Sequence, residues 1–271
     1  MTQEVLSVDE AIKVRHSVRT FNGLLSEERR TLLNQIIAEV NALPRPFGSN
    51  VEVGDFGPGL GTLGVISNEA GWLLGKIKAD TPEADFPKAQ YDIAYLLHTC
   101  VLKMTQNKFA SVWIAGTFNE KMAEEKNEGY KIPAVVAYGE DAQTVRFLEK
   151  AMKFFAGSSK RYPLEKLFYD LDNKRPFTKE NSGDRLQLLE AVQSGPSAMN
   201  IQAWRLAITG DIAHLYKGSD HAACAFDIGI AIAAMKLLLG AHGHETKITQ
   251  EEEHPAYPEG TAEYICTLTL K

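Results

Sequence analysis

Two short stretches carry side chains whose types and spacing could do chemistry. The first, Lys13-Val14-Arg15-His16-Ser17-Val18-Arg19-Thr20-Phe21, sets two guanidinium groups four residues apart. On a continuing helix they would share a face, with His16 and Ser17 on the flanks. Such a group suits a phosphate, because each charge-assisted hydrogen bond to a phosphate oxygen contributes about 1.5–3 kcal/mol and Arg offers a planar fork. The second, Pro196-Ser197-Ala198-Met199-Asn200-Ile201-Gln202-Ala203-Trp204, follows Gly195 and projects the amides of Asn200 and Gln202 from a chain about to become a strand. An amide holds donor and acceptor together and can read the edge of a planar heterocycle, while Pro196 offers a ring an apolar surface. Each stretch also has an ordinary structural explanation. Basic residues in a last helical turn complement the macrodipole, and Pro, Ser and Asn are the expected residues of a helix-to-strand turn.

Two further stretches join them. A basic pair precedes Pro-Leu-Glu in Lys160-Arg161-Tyr162-Pro163-Leu164-Glu165, and Ser111-Val112-Trp113-Ile114-Ala115-Gly116-Thr117 follows an apolar helical run. Together the four resemble the signatures of nitroreductase-like FMN flavoproteins. In that family the arginine turn and the P-S-x-x-N segment lie some tens of residues apart in each subunit of a homodimer, whereas here most of the chain separates them. The resemblance is closest to the nitroreductases built as a single-chain pseudo-dimer.

That resemblance implies an α+β, nitroreductase-like fold of two similar halves and one FMN per chain. The implied cofactor-binding residues are Arg15, His16, Ser17, Arg19, Lys160 and Arg161 on one side and Pro196, Ser197, Ala198 and Asn200 on the other. A turn at Trp113, Ile114, Ala115 and Gly116 would face the flavin ring. No acid–base side chain is required. Arg19 would be the cation near the ring, with Arg15 and Arg161 at the phosphate. The implied activity is a ping-pong cycle in which NADH or NADPH is the donor and a nitroaromatic, quinone or similar small molecule the acceptor. A flavin-binding sensor, storage or scaffold protein without turnover is the alternative. The mates of the two main segments, Leu43-Pro44-Arg45-Pro46-Phe47-Gly48-Ser49-Asn50 and Asn173-Lys174-Arg175-Pro176-Phe177, have lost the pattern, so one site is expected to survive. Ala203 stands where the family commonly has Pro, and 107–111 lacks its usual Gly-Leu-Gly, which leaves the ring-facing contacts there open.

The elements that must position these residues read in outline as helix, strand, buried helix, strand, twice over. Ser7 and Glu10 form a capping box opening a helix that should end near Ser17. Ser26 caps a second helix, whose Leu32, Leu33, Ile36, Ile37, Val40 and Leu43 make one apolar stripe before Pro44. Residues 44–61 read as loop, 63–67 as a short strand, 91–104 as a buried helix and 133–139 as a buried strand. In the second half, helices are expected at 184–194 and 226–239 and strands at 204–209 and 263–270. Tyr91-Asp92-Ile93-Ala94 lines up with Phe226-Asp227-Ile228-Gly229, as a duplication would require. The expected division is 1–155, a connection at 156–183, and 184–271, folded as one unit that works as a monomer.

Composition narrows the function classes. A net charge of -6 argues against a nucleic-acid footprint. No apolar leader stands in the first fifteen residues, and the apolar run 228–239 is too short to span a bilayer, so no membrane is expected and a cytoplasmic location is the default. Cys100, Cys224 and Cys266 suggest buried thiols rather than a disulfide framework. Gly59-Leu60-Gly61-Thr62-Leu63-Gly64 satisfies G-x-G-x-x-G but lacks the flanking strand and helix of a dinucleotide fingerprint. His242, His244 and His254 beside Glu251-Glu252-Glu253 have no regular metal-ligand spacing, so no metal is expected.

Overall fold

The computed structural model describes residues 5–62, 64–114, 116–142 and 161–271. The chain divides into two compact units, Met1–Ser159 and Lys160–Lys271.

The first unit opens with helix α1 (Val8–Val14). In its capping box the Glu10 N–H donates to Ser7 Oγ at 3.2 Å and the Ser7 N–H to Glu10 Oε2 at 2.8 Å. Helix α2 (Glu27–Asn41) follows, capped by Ser26 and burying Leu33, Ile36 and Val40. Strands β1 (Val51–Asp55) and β2 (Gly71–Lys78) lead to the long helix α3 (Phe86–Gln106), and β3 (Ala110–Ile114), α4 (Glu120–Glu125) and β4 (Tyr130–Gly139) complete the unit. The four strands are antiparallel in the order β1-β2-β4-β3.

Helix α3 covers one face of this sheet. Contact is close at Gly75 of β2, where an added Cβ would lie 2.8 Å from Leu97 Cδ1 and 2.9 Å from Ile93 Cγ1. The other face is closed by an apolar cluster in which Trp72, Leu74, Val112 and Ile132 meet Val18, Phe21, Leu60 and Ala123. Burial on both faces explains why β2 reads as a nearly continuous apolar run rather than an alternating one.

The second unit has a one-turn helix (Leu164–Leu167) and the short strands β5 (Phe168–Asp170) and β6 (Arg175–Pro176). Then come helix α5 (Leu186–Gln193), strands β7 (Trp204–Thr209) and β8 (Ile212–Lys217), helix α6 (Cys224–Ala241), and strands β9 (Ile248–Thr249) and β10 (Glu263–Thr269). The sheet order is β6-β5-β7-β8-β10-β9, antiparallel except for the β5/β7 pair. Without β5 and β6, this is the first unit's plan: helix, two strands, buried helix, two strands, with the last strand paired between the second and third. Both plans also carry a register shift in the corresponding pair, at Gly75/Ile77 and at Tyr264/Cys266. Helix α6 is the one helix among the described residues long and apolar enough to cross a membrane, but 78% of it is buried inside the fold, as in a core helix.

Several expectations need correction. Helix α1 stops at Val14, because Arg15 takes extended backbone (φ -58, ψ 120), so Arg15 and Arg19 do not share a helical face. The stretch 44–61 contains β1, while the strand expected over 63–67 is, in its described part, bends with a single bridge from Ser67 to Thr20. Strands β2 and β8 were not anticipated, since Gly75 interrupts one and polar Lys217 and His214 punctuate the other. The described part of the expected connection, 161–183, holds a helical turn and two strands. Residues 110–114 are strand rather than turn, because their pairing with β4 uses the backbone that a turn would leave open.

Valine at position 75 would force its branched side chain into Leu97, Ile93 and the Ala134 carbonyl. Gly75→Val is expected to lower stability by about 1–3 kcal/mol, the usual cost of overpacking, and thermal unfolding followed by circular dichroism measures it.

Candidate functional site

In the first unit the arginine segment is an extended strap. The Val18 N–H donates to the Ser111 carbonyl at 3.0 Å, Ser17 bridges Ser111 in parallel, and the Phe21 N–H donates to the Ser67 carbonyl at 2.9 Å. Val14, Val18 and Phe21 are buried, while Ser17 and Arg19 are exposed. Arg15, Ser17 and Arg19 therefore stand on non-helical chain, with Arg15 half-buried near His98 and Ser17 and Arg19 exposed. Arg19 has no carboxylate partner among the described residues. His16 is turned back on its own backbone, its Nδ1–H donating to the Val14 carbonyl at 3.0 Å.

Strand β3 carries Trp113 and Ile114 beside this strap, and exposed Gly116 follows with φ +80. Ala115 and Lys160 lie outside the described residues. Behind Trp113 stands His98 of α3, with ring centroids 6.3 Å apart. His98 is 1% exposed and its Nδ1 has no partner among the described residues. Burial, and then the positive charge of Arg15, hold its pKa well below the ordinary imidazole value, so it is neutral at physiological pH.

In the second unit the P-S-x-x-N segment is a tight loop at the mouth between α5 and β7. Met199, Asn200 and Gln202 all adopt left-handed backbone, with φ of 47, 61 and 54. Such angles cost side-chain-bearing residues energy unless the surroundings hold them. One group does most of the holding: Asp227 of α6 accepts from the Ala198 N–H at 2.9 Å and from the Ala203 N–H at 3.0 Å. Ser197 Oγ accepts from the Gln202 N–H at 3.2 Å, and Gln202 Oε1 from the Tyr162 N–H at 2.9 Å. Arg161 belongs to this unit rather than to the first-unit set with which it was grouped. Its guanidinium donates to Asn200 Oδ1 and to the Ser194 carbonyl, both at 3.2 Å. The structure thus gathers Arg161, Pro196, Ser197, Ala198 and Asn200 in one place.

The first unit repeats the device. Asp92 of α3 accepts from the Phe47 and Ser49 N–H groups, both at 2.9 Å, and so fastens the loop before β1. Arg45 donates to the carbonyls of Asn41 and Leu43 at the end of α2, as Arg161 does to Ser194 after α5. This loop forms one wall of a cleft of about 480 Å³, opposite Lys78, Asp80 and Lys88. The alignment of the two apolar helices in sequence already paired these aspartates as equivalent positions. That a carboxylate on a wholly apolar face has backbone donors to serve was the available signal. Among the described residues no group of three or more His, Cys, Asp or Glu could hold a metal ion.

The profile of the family described as "Putative TM nitroreductase" matches residues 7–239. In three dimensions the chain is similar to a putative nitroreductase from Thermotoga maritima, with 18% identity and a TM-score of 0.66 over 100% of this chain and 96% of that one. Weaker likenesses are to a nitroreductase-like family protein from Bacillus cereus (12% identity, TM-score 0.44, 61% of this chain and 96% of that one) and to an FMN-dependent nitroreductase from Clostridium difficile (13%, TM-score 0.39, 56% and 99%). No match is found among curated proteins. The fold is therefore that of the α+β nitroreductase class. The chain belongs to the putative TM nitroreductase family, which is named for oxidoreductase chemistry.

Asp227 supplies a pH test. Burial pushes its carboxyl up to about 7, against the lowering effect of the Ala203 and Ala198 N–H groups and of Arg161. A carboxyl raised on folding favours the folded state fully below its unfolded pKa, and that contribution is lost as pH rises through the folded value. Relative to Asp227→Asn, which cannot ionise, the parent should lose stability between about pH 4 and pH 7. Asp227→Ala should cost about 2–4 kcal/mol at pH 5 by stranding two buried N–H groups, and less at pH 8, where the parent has lost part of its own stability. Urea unfolding of the three proteins at pH 5 and pH 8 measures both.

Proposed function

We propose that the chain is an FMN-dependent NAD(P)H oxidoreductase of the nitroreductase type, reducing nitroaromatics, quinones or similar acceptors. One observation carries the reading: Arg19 is an exposed cation without a carboxylate partner among the described residues, held out beside Ser17 by an anchored strap of extended chain. A phosphate-bearing ligand fits that donor set, because two guanidinium groups and a hydroxyl on alternate residues offer several charge-assisted hydrogen bonds. FMN dependence is named for a structural relative.

In this proposal Arg15, Ser17 and Arg19 read the phosphate, and Gly116, which leaves open space, lets the backbone approach the ring; Trp113, Ile114 and Ala115 are proposed as further ring contacts. Pro196, Ser197, Ala198 and Asn200 supply the apolar surface and the amide. Arg161, already bonded to Asn200, positions that amide rather than reading phosphate, and Lys160 is proposed as a further cation. His98, neutral behind Trp113, adds no competing charge near Arg15. When bound, the flavin supplies reversible two-electron chemistry with NADH or NADPH as donor; the protein's part is binding, orientation and a fixed positive field. The repeated topology of the two units supports an internal pseudo-dimer in which one chain does the work of two subunits as a monomer.

Purified protein saturated with FMN and desalted should retain about one flavin per chain. Arg19→Gln should weaken FMN binding by about tenfold or more, the worth of one charge-assisted bond. NADH or NADPH should bleach the bound flavin and a quinone restore its colour. Retained flavin inert to both would favour a binding protein without turnover, and no retained flavin would overturn the reading.

A further inference from the structure

In the first unit the loop before β1 and the connection after β2 face each other across the cleft of about 480 Å³. That volume is within the range of small-molecule sites. One wall is fixed in advance. The Phe47 and Ser49 N–H groups donate to Asp92, the Gly48 N–H donates to the Arg45 carbonyl at 3.1 Å, and the Phe47 ring packs on Tyr91 with centroids 5.3 Å apart. The facing wall begins at Lys78, whose Nζ donates to the Tyr130 hydroxyl at 2.8 Å. It continues through the turn into α3, closed by the Thr81 N–H on the Lys78 carbonyl and the Asp85 N–H on the Pro82 carbonyl.

Asn50, Asp80, Asp85 and Lys88 all line this cleft, and their side chains make no hydrogen bond or ion pair among the described residues. Local structure does not account for them. Asp85 is the N-cap residue of α3, yet its carboxylate accepts from no helix N–H. Lys88 sets an ammonium group in the first turn of that helix, the end where the macrodipole disfavours a cation. In the second unit Asn200 has its Oδ1 engaged by Arg161, whereas Arg45 is committed to backbone carbonyls and leaves Asn50 to the cleft.

Charge decides which class of ligand the lining can take. Lys78 and Lys88 bring two ammonium groups to it, and Asp80 and Asp85 two carboxylates. A phosphate would meet both carboxylates and a polyamine both ammonium groups, so either would set like charges together. A small zwitterion pairs with both signs.

We propose that this cleft is a binding site for a free α-amino acid with an aromatic side chain, separate from the flavin-binding residues. Lys88 and the Asn50 amide donate to its carboxylate, Asp80 and Asp85 accept from its ammonium group, and half-buried Phe47 meets its ring. Because Asp92 already fastens the Phe47 wall, binding has little left to order there.

The test is calorimetric titration of the full chain with phenylalanine at constant ionic strength. Phenylpropionate, which lacks the ammonium group, and phenethylamine, which lacks the carboxylate, are titrated in parallel. Phenylalanine is expected to bind saturably and about tenfold or more tightly than either, the worth of one charge-assisted bond. Lys88→Gln should weaken phenylalanine about tenfold and leave phenethylamine unchanged, while Asp80→Asn combined with Asp85→Asn should remove the advantage over phenylpropionate. These side chains bond to nothing among the described residues, so the fold survives their replacement, and an unchanged thermal midpoint verifies it. Arg19→Gln should leave phenylalanine affinity unchanged, which separates this site from the proposed phosphate-reading residues. Absence of saturable phenylalanine binding, equal affinity for the three probes, or an affinity indifferent to Lys88→Gln would each overturn the proposal.

Discussion

A buried carboxylate that accepts two backbone N–H groups is the constraint on which each unit's candidate region depends. In each unit a helix must end, turn and deliver an edge of the chain into the sheet within a few residues, and the turn exposes backbone donors to an apolar interior. Asp92 and Asp227 each meet two of those donors from the buried helix that lies against the sheet. A buried carboxylate is costly in isolation, and the same burial that raises both pKa values is the measure of that cost. The hydrogen bonds offset it, and Arg45 and Arg161 add favourable charge nearby.

With that anchor in place, the chain can hold conformations it would not choose. Met199, Asn200 and Gln202 stand in left-handed backbone, and Met199 is 70% exposed, so packing does not hold it there. The loop is held by its bonds: Asp227 at both ends, Ser197 and Gln202 across the middle, Arg161 at Asn200. Strain maintained in this way is commonly found where a ligand is read, because it presents groups in a fixed geometry before binding. The corresponding loop of the first unit is tied by the same carboxylate device but satisfies its arginine wholly on backbone carbonyls. The two units share a plan and differ in what they leave open.

The arginine strap reaches the same end by other means. Val18 and Phe21 enter the apolar cluster on the sheet, and main-chain bonds to Ser111 and Ser67 fix the backbone on either side of Arg19. A long flexible side chain loses less entropy on binding when its Cα is already fixed. Position is what the fold contributes at Arg19.

Much of this was legible in residue order because it depends on local chemistry. The Ser7–Glu10 capping box, the Ser26 cap, the two apolar helices and the strand at 204–209 follow from caps and periodicity. Strands β2 and β8, the extended rather than helical course through Arg15–Arg19, and the placement of Arg161 beside Asn200 were not legible. Each is decided by a partner distant along the chain: Ser111 and Ser67 draw the strap straight, β4 and β10 recruit strands whose own patterns are broken, and the Ser194 carbonyl captures Arg161. The sequence by itself determined which groups are present and which segments bury themselves. Only the tertiary structure decided which backbone donors would be stranded in the interior, and therefore why an aspartate stands on each apolar helix.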